Sequence, residues 1–201
     1  MTCSRSTRTW TCRPTSWNAS ANVSSVTASD GLLVLGVDPG LADTGYGAVR
    51  RQNGRLTMVT CGTLKTPANL SEPKRLAILA RQLRALIAEL HPQAAAFEEL
   101  FFSKNVRTAM AVGQARGVAL LCAVETGAEV HEYTPNQVKL SVTGYGAATK
   151  GQMLKMVQSL LATRELPRSD DAIDALAIAI CHHHSGRLRT IISRAPTSVH
   201  A

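Results

Sequence analysis

The sequence predicts an α/β domain: a five-stranded mixed sheet, with three antiparallel strands leading and parallel strands following, flanked by helices. Three observations carry that expectation. A short apolar run at residues 32–37 stops at the turn Asp38-Pro39-Gly40. An Asn53-Gly54 pair separates two strand-like runs, the pattern of a tight hairpin. After residue 70, helical and strand-like stretches alternate, an order that packs helices on the faces of a hairpin-led sheet.

Taken in order, residues 32–37 (LLVLGV) read as a buried first strand. Residues 46–50 and 55–65 follow on either side of Gln52-Asn53-Gly54, so three antiparallel strands open the domain. From 71 to 90 the period becomes helical. Leu76, Leu79, Leu83, Leu86, Ile87 and Leu90 share one stripe, with Arg75, Arg81, Arg84 and Glu89 among the remaining positions. Residues 94–97 form a short buried strand ending at Glu98. Residues 105–125 are Ala-rich and helical, interrupted by Gly113 and Gly117, and 129–133 is another strand. Residues 137–140 and 150–161 read as helices, joined by a Gly-rich loop, Thr143-Gly144-Tyr145-Gly146. The last helix covers 169–182, and a basic, unpatterned tail follows from Gly186. There is no internal repeat.

Residues 1–30 stand apart. They hold seven Ser, six Thr, three Arg, a single acid and both tryptophans, without periodic apolar residues. No continuous apolar stretch follows their charges, so a secretory signal is not expected. A disordered tail or a misassigned start is the expectation, with an organellar transit peptide as the rival. The folded domain is then 31–185, and 186–201 is a flexible basic tail.

Composition narrows the function classes. With 201 residues the chain is long enough for a real core, and no apolar run approaches the ~18–20 residues of a membrane span. A net charge of +8 favours a polyanionic partner. Cys3, Cys12, Cys61, Cys122 and Cys181 are odd in number and widely spaced, without a C-x-x-C pair. That usage fits a reducing cytoplasm and not a disulfide framework or a zinc site.

Four acids stand where a globular core would not ordinarily place them. Asp38 ends the first apolar strand, and Glu98 ends the run Ala-Ala-Ala-Phe. Asp171 and Asp174 lie in the first turns of a helix whose Ile173, Leu176, Ala177 and Ile180 are apolar, and their i,i+3 spacing puts both on one face. If the first and fourth strands are parallel neighbours, Asp38 and Glu98 reach one edge of the sheet, where α/β sheets build sites. Taken singly, Asp38 reads as a turn cap, Asp171 as a helix N-terminal acid and Glu98 as an exposed strand end. Gathered together they repel, by about 4 kcal/mol per pair at 4 Å and an effective dielectric of 20. Protonation or cation capture relieves that repulsion, and all-oxygen ligands favour Mg²⁺ or Mn²⁺. Two such ions can hold the attacking water and the leaving oxygen of a phosphodiester.

The same segments resemble a known family. Val34-Leu35-Gly36-Val37-Asp38-Pro39-Gly40 with Thr44-Gly45-Tyr46-Gly47 is similar to the opening strand and hairpin of RuvC-type Holliday junction resolvases, which have a ribonuclease H-like fold. Phe97-Glu98-Glu99-Leu100-Phe101 with Lys104-Asn105, Gly113-Gln114-Ala115-Arg116-Gly117, Pro135-Asn136-Gln137-Val138-Lys139 and Asp171 to Ala177 extend the likeness in order, over roughly 32–185. The resemblance implies a homodimer that cuts two opposed strands of a four-way DNA junction, leaving 5′-phosphates and ligatable nicks. It implies Asp38, Glu98, Asp171 and Asp174 as catalytic and metal-binding acids with Mg²⁺, two per site, replaceable by Mn²⁺. Some relatives carry His at the position of Asp171. Phe101 matches an aromatic that stacks on unpaired bases, Lys139 and Lys150 match phosphate-facing lysines, and the implied partner is the RuvA–RuvB branch-migration complex. Residues 1–30 match nothing in the pattern.

Residues 31–201 carry 19 Lys and Arg against 13 Asp and Glu. Neutralising the four site acids with two divalent ions would leave an outer surface of about +10. Lys104, Arg107, Lys139 and Lys150 flank the acidic motifs and the Gly-rich loop, and are the candidate phosphate contacts. Phe102 reads as closing the core, whereas an exposed Phe101 ring can stack on an opened base. His182-His183-His184 ends the expected last helix, where dipole compensation or solvent exposure is expected instead of a metal site. Among competing readings, an rRNA-processing nuclease of the same fold explains the acids but not Phe101 or the GQARG segment. An actin-like or sugar-kinase-like ATPase needs a second domain. A non-cutting DNA scaffold has no need of four acids facing phosphate.

Overall fold

The computed structural model describes residues 31–99, 106–163, 165–167 and 169–194. Five strands form one sheet: β1 (Leu32–Asp38), β2 (Asp43–Gln52), β3 (Arg55–Lys65), β4 (Ala94–Glu98) and β5 (Glu129–Tyr133). Their spatial order is β3-β2-β1-β4-β5. The two hairpin pairings are antiparallel, while β1–β4 and β4–β5 are parallel. Asn53 and Gly54 both have positive φ, 51° and 80°, which is why Asn-Gly closes the β2–β3 turn.

β1 lies at the centre, buried on both faces, which explains a continuous apolar run where a half-exposed strand would alternate. Leu33, Leu35 and Val37 enter one core with Phe97, under α1 (Glu72–Leu90) and α2 (Val106–Glu125). Val34 enters the other, under α3 (Pro135–Thr143), α4 (Lys150–Leu160) and α5 (Asp170–Arg194). Each fully buried Leu or Phe contributes about 1.5–3 kcal/mol. Against β1 and β2, α5 packs at near-backbone distance. A Cβ on Gly36 would lie 2.0 Å from the Ala175 carbonyl oxygen, and one on Gly45 2.0 Å from that of Asp171.

Several expected boundaries move. α3 begins at Pro135, not 137, because Thr134 and Gln137 form a reciprocal capping box with Pro at the first turn; Thr149 and Gln152 do the same for α4. The last helix does not stop at His182 but stays helical to Arg194, through the stretch where the tail was expected to begin. A lone glycine, Gly186, costs a helix only about 1 kcal/mol, and arginines suit a helix C-terminus. The histidines therefore sit mid-helix, and the expected solvent exposure is wrong for two of them. His182 and His183 are buried, the first with its Nδ1 2.9 Å from the Tyr133 hydroxyl, the second donating from Nε2 to the Val49 carbonyl at 2.9 Å. Burial pushes His183 down to about 4, so it stays neutral at physiological pH. Among the described residues no helix is long and apolar enough to cross a membrane.

Candidate active site

The parallel register of β1 and β4 pairs Val37 with Phe97, so the next residues, Asp38 and Glu98, stand side by side at the C-terminal edge of the sheet. The close packing of α5 over Gly45 brings the first turns of that helix to the same edge, and with them Asp171 and Asp174. All four acids are half-buried.

Asp38 is the most perturbed. Burial, then the charges of Asp174, Glu98 and Asp171, raise its pKa to about 7, against a smaller opposing pull from Lys150. Burial and Asp174 raise Glu98, with Lys139 opposing. Asp174 is raised by burial first, and the cations Lys150 and Lys139 pull it back. The four carboxylates thus share one electrostatic neighbourhood, and two lysines from α3 and α4 face it.

The donor set is all oxygen and suits a hard divalent cation. Among the described residues no three acid, His or Cys side chains are drawn close enough to cage an ion unaided. Like charges oppose closer approach until a proton or a cation offsets them.

Of the expected DNA contacts, Lys139 lies half-buried on α3 and Lys150 exposed at the start of α4. Both line a cavity of about 380 Å³ together with Glu98 and Asp174. Lys150 is held there by Asp170, its Nζ 2.9 Å from that carboxylate. Phe101, Phe102 and Lys104 lie outside the described residues, as does the side chain of Arg107.

Two residues to which the sequence reading gave no role of their own stand beside the four acids. Asp170 orients Lys150, and its signal was its place directly before Asp171. Arg116, nearly buried, donates from one terminal nitrogen to the Glu98 carbonyl at 3.1 Å and pairs with Glu132 at 2.5 Å through the other. It thereby fixes the end of β4 that carries the acid. Its signal was a charged residue alone in the middle of an apolar, small-residue helix.

The family model of crossover junction endodeoxyribonuclease RuvC matches residues 34–182. The crossover junction endodeoxyribonuclease RuvC of Syntrophomonas wolfei is 51% identical over 166 residues, 83% of this chain and 96% of its own. That of Chloroflexus aurantiacus is 54% identical over 154 residues, 77% and 94%. Among solved structures, Thermus thermophilus RuvC in complex with Holliday junction substrate superposes with a TM-score of 0.75 at 32% identity, over 79% of this chain and 97% of that one. The yeast mitochondrial Holliday junction resolvase, at 12% identity and a TM-score of 0.61, has a similar fold. With half its residues identical over nearly the whole length of such relatives, this chain belongs to the RuvC family of crossover junction endodeoxyribonucleases, and its sheet is the ribonuclease H-like one that the sequence predicts.

Proposed function

We propose that Asp38, Glu98, Asp171 and Asp174 are the catalytic and metal-binding acids of an endonuclease that resolves four-way Holliday junctions by paired symmetric nicks. Asp38 carries the reading: a carboxylate at a strand end, half-buried and ringed by three others, is raised to about 7, a costly arrangement unless cations relieve it. The metal is Mg²⁺, two per site, with Mn²⁺ able to substitute. When bound, it supplies an activated water and charge neutralisation at the cleaved phosphodiester.

The chain's own residues do the positioning. Asp38 and Glu98 offer oxygens from rigid strand ends, and Asp171 and Asp174 from a helix wedged against β1 and β2. Lys139 and Lys150 attract the DNA backbone into the cavity they line, with Lys104 and Arg107 as further phosphate contacts and Phe101 as the ring that stacks on an opened base.

A four-way junction has two strands to cut, and a homodimer presents two sites. On α2, Met110, Leu121 and Val124 recur on one face and are 62%, 53% and 62% exposed, an apolar stripe suited to a second copy. The RuvA–RuvB complex is the partner that would deliver the junction, in the cytoplasm.

The test incubates the protein with a synthetic four-way junction, a linear duplex and an RNA–DNA hybrid, each with and without Mg²⁺. Symmetric nicks in the junction alone, only with Mg²⁺, are expected. Asp38→Asn is expected to abolish cutting and retain junction binding. Cleavage at the wild-type rate by that variant would refute the site.

A further inference from the structure

The acids separate two cavities, and Lys139 and Lys150 account for only one of them. The second, about 520 Å³, opens on the other side of Asp171, between the β1–β2 turn and α1 and α2, and is lined by Gly40, Asp43, Arg75 and Asp171 among others. Arg75 stands on the polar side of α1 by sequence, where an exposed helix arginine would ordinarily be a solvated charge. It is not placed like one. Its Nε donates to the Thr66 hydroxyl at 2.9 Å, and that hydroxyl donates to the Leu41 carbonyl at 2.5 Å. The Thr66 amide donates to the Ala42 carbonyl at 3.0 Å. Arg75 is thus tied, through one buried threonine, to the turn that directly follows Asp38.

With Nε engaged, the two terminal nitrogens of the guanidinium remain available on a side chain that lines the cavity. Among the described residues no carboxylate pairs with them; Asp43, in the same cavity, pairs with Lys65 at 3.4 Å. A planar fork anchored at its Nε and lining a cavity with Asp171 is suited to bidentate recognition of a phosphate. We infer that Arg75 is a phosphate contact for the DNA strand on the flank opposite Lys139 and Lys150, so that the cut strand crosses the acids from one cavity to the other. The inference rests on the proposed nuclease reading of the four acids.

The rival is a purely structural role, with Arg75 only joining the first turn of α1 to the end of β3. A phosphate-by-phosphate measurement separates the two. Junctions carrying a single neutral methylphosphonate at successive positions on either side of the cut are bound to Asp38→Asn protein, with Arg75 intact and with Arg75→Ala. With Arg75 intact, neutral positions on both flanks are expected to weaken binding. In Arg75→Ala, affinity is expected to fall roughly tenfold or more, as for a lost charge-assisted pair. The slope of log affinity against log salt is expected to drop by about 1. One neutral position, on the flank away from the lysines, is expected to carry no further penalty. If Arg75→Ala does not fold, Arg75→Lys carries the test: the charge stays, the fork is lost, and the penalty at that single position shrinks while the others stand. Unchanged affinity and salt slope, or a penalty pattern identical to that with Arg75 intact, would overturn the inference. A wild-type protein that cuts no junction would instead bring down the active-site reading, so the two failures are distinct.

Discussion

Asp38 concentrates the chemistry at the residue scale. Its folded pKa of about 7 lies above its ordinary 3.8. Between those values the folded chain keeps a proton that the unfolded chain has released, so folding stability falls as pH rises from about 4 to about 7. A divalent cation competes with that proton and is worth most once the proton has gone. Thermal unfolding followed by circular dichroism is expected to show saturating Mg²⁺ raising Tm on the order of 5 °C at pH 8, and far less at pH 5. Asp38→Asn is expected to raise Tm at pH 8 without Mg²⁺ and to shrink the Mg²⁺ increment. A larger increment at pH 5 than at pH 8 would contradict the assignment. His183 has the opposite sign: held neutral by burial, it withdraws stability as pH falls from about 6.5 toward 4.

Among the elements, α5 positions half of the site, and glycine in β2 sets its height. A methyl group on Gly45 would press on the Asp171 carbonyl, so Gly45→Ala must shift the first turn of the helix. Overpacking of this kind costs about 1–3 kcal/mol. Displacing two acids by a fraction of an ångström is expected to lower cleavage more than tenfold while junction binding persists. Gly151→Ala, in α4 with open space around it, is the control and is expected to leave Tm unchanged or slightly higher. The elements themselves were largely legible. A strand buried on both faces reads as an apolar run, Asn-Gly marks its hairpin, and acids ending such strands stand out because nothing in a core calls for them. What escaped depends on distant partners. The ends of α3 needed the capping side chains of Thr134 and Gln137 to be seen as caps. The burial of His182 and His183 follows from a helix running past them beneath Tyr133 and Val49. Arg116 gains its role only when β4 lies beside it. Phe101 and Lys104 lie outside the described residues.

For the molecule as a whole, charge and symmetry decide how a junction is held. Residues 31–201, with 19 basic and 13 acidic residues, attract DNA without reading it, so junction affinity is expected to be strongly salt-dependent. The exposed apolar stripe on α2 is the proposed meeting surface of two copies. Leu121→Asp is expected to convert a dimer to monomers by analytical ultracentrifugation, with unaltered circular dichroism and loss of paired nicking. A variant that stays dimeric would move the interface elsewhere. The proposed chemistry needs carboxylates from β1, β4 and α5 to bind cations together. The most direct measurement is an anomalous difference map from a crystal soaked in Mn²⁺. Peaks bounded by Asp38, Glu98 and Asp174 are expected, absent from Asp38→Asn crystals soaked in the same way. A wild-type map with no peak among these acids, from protein that still cuts junctions, would contradict it.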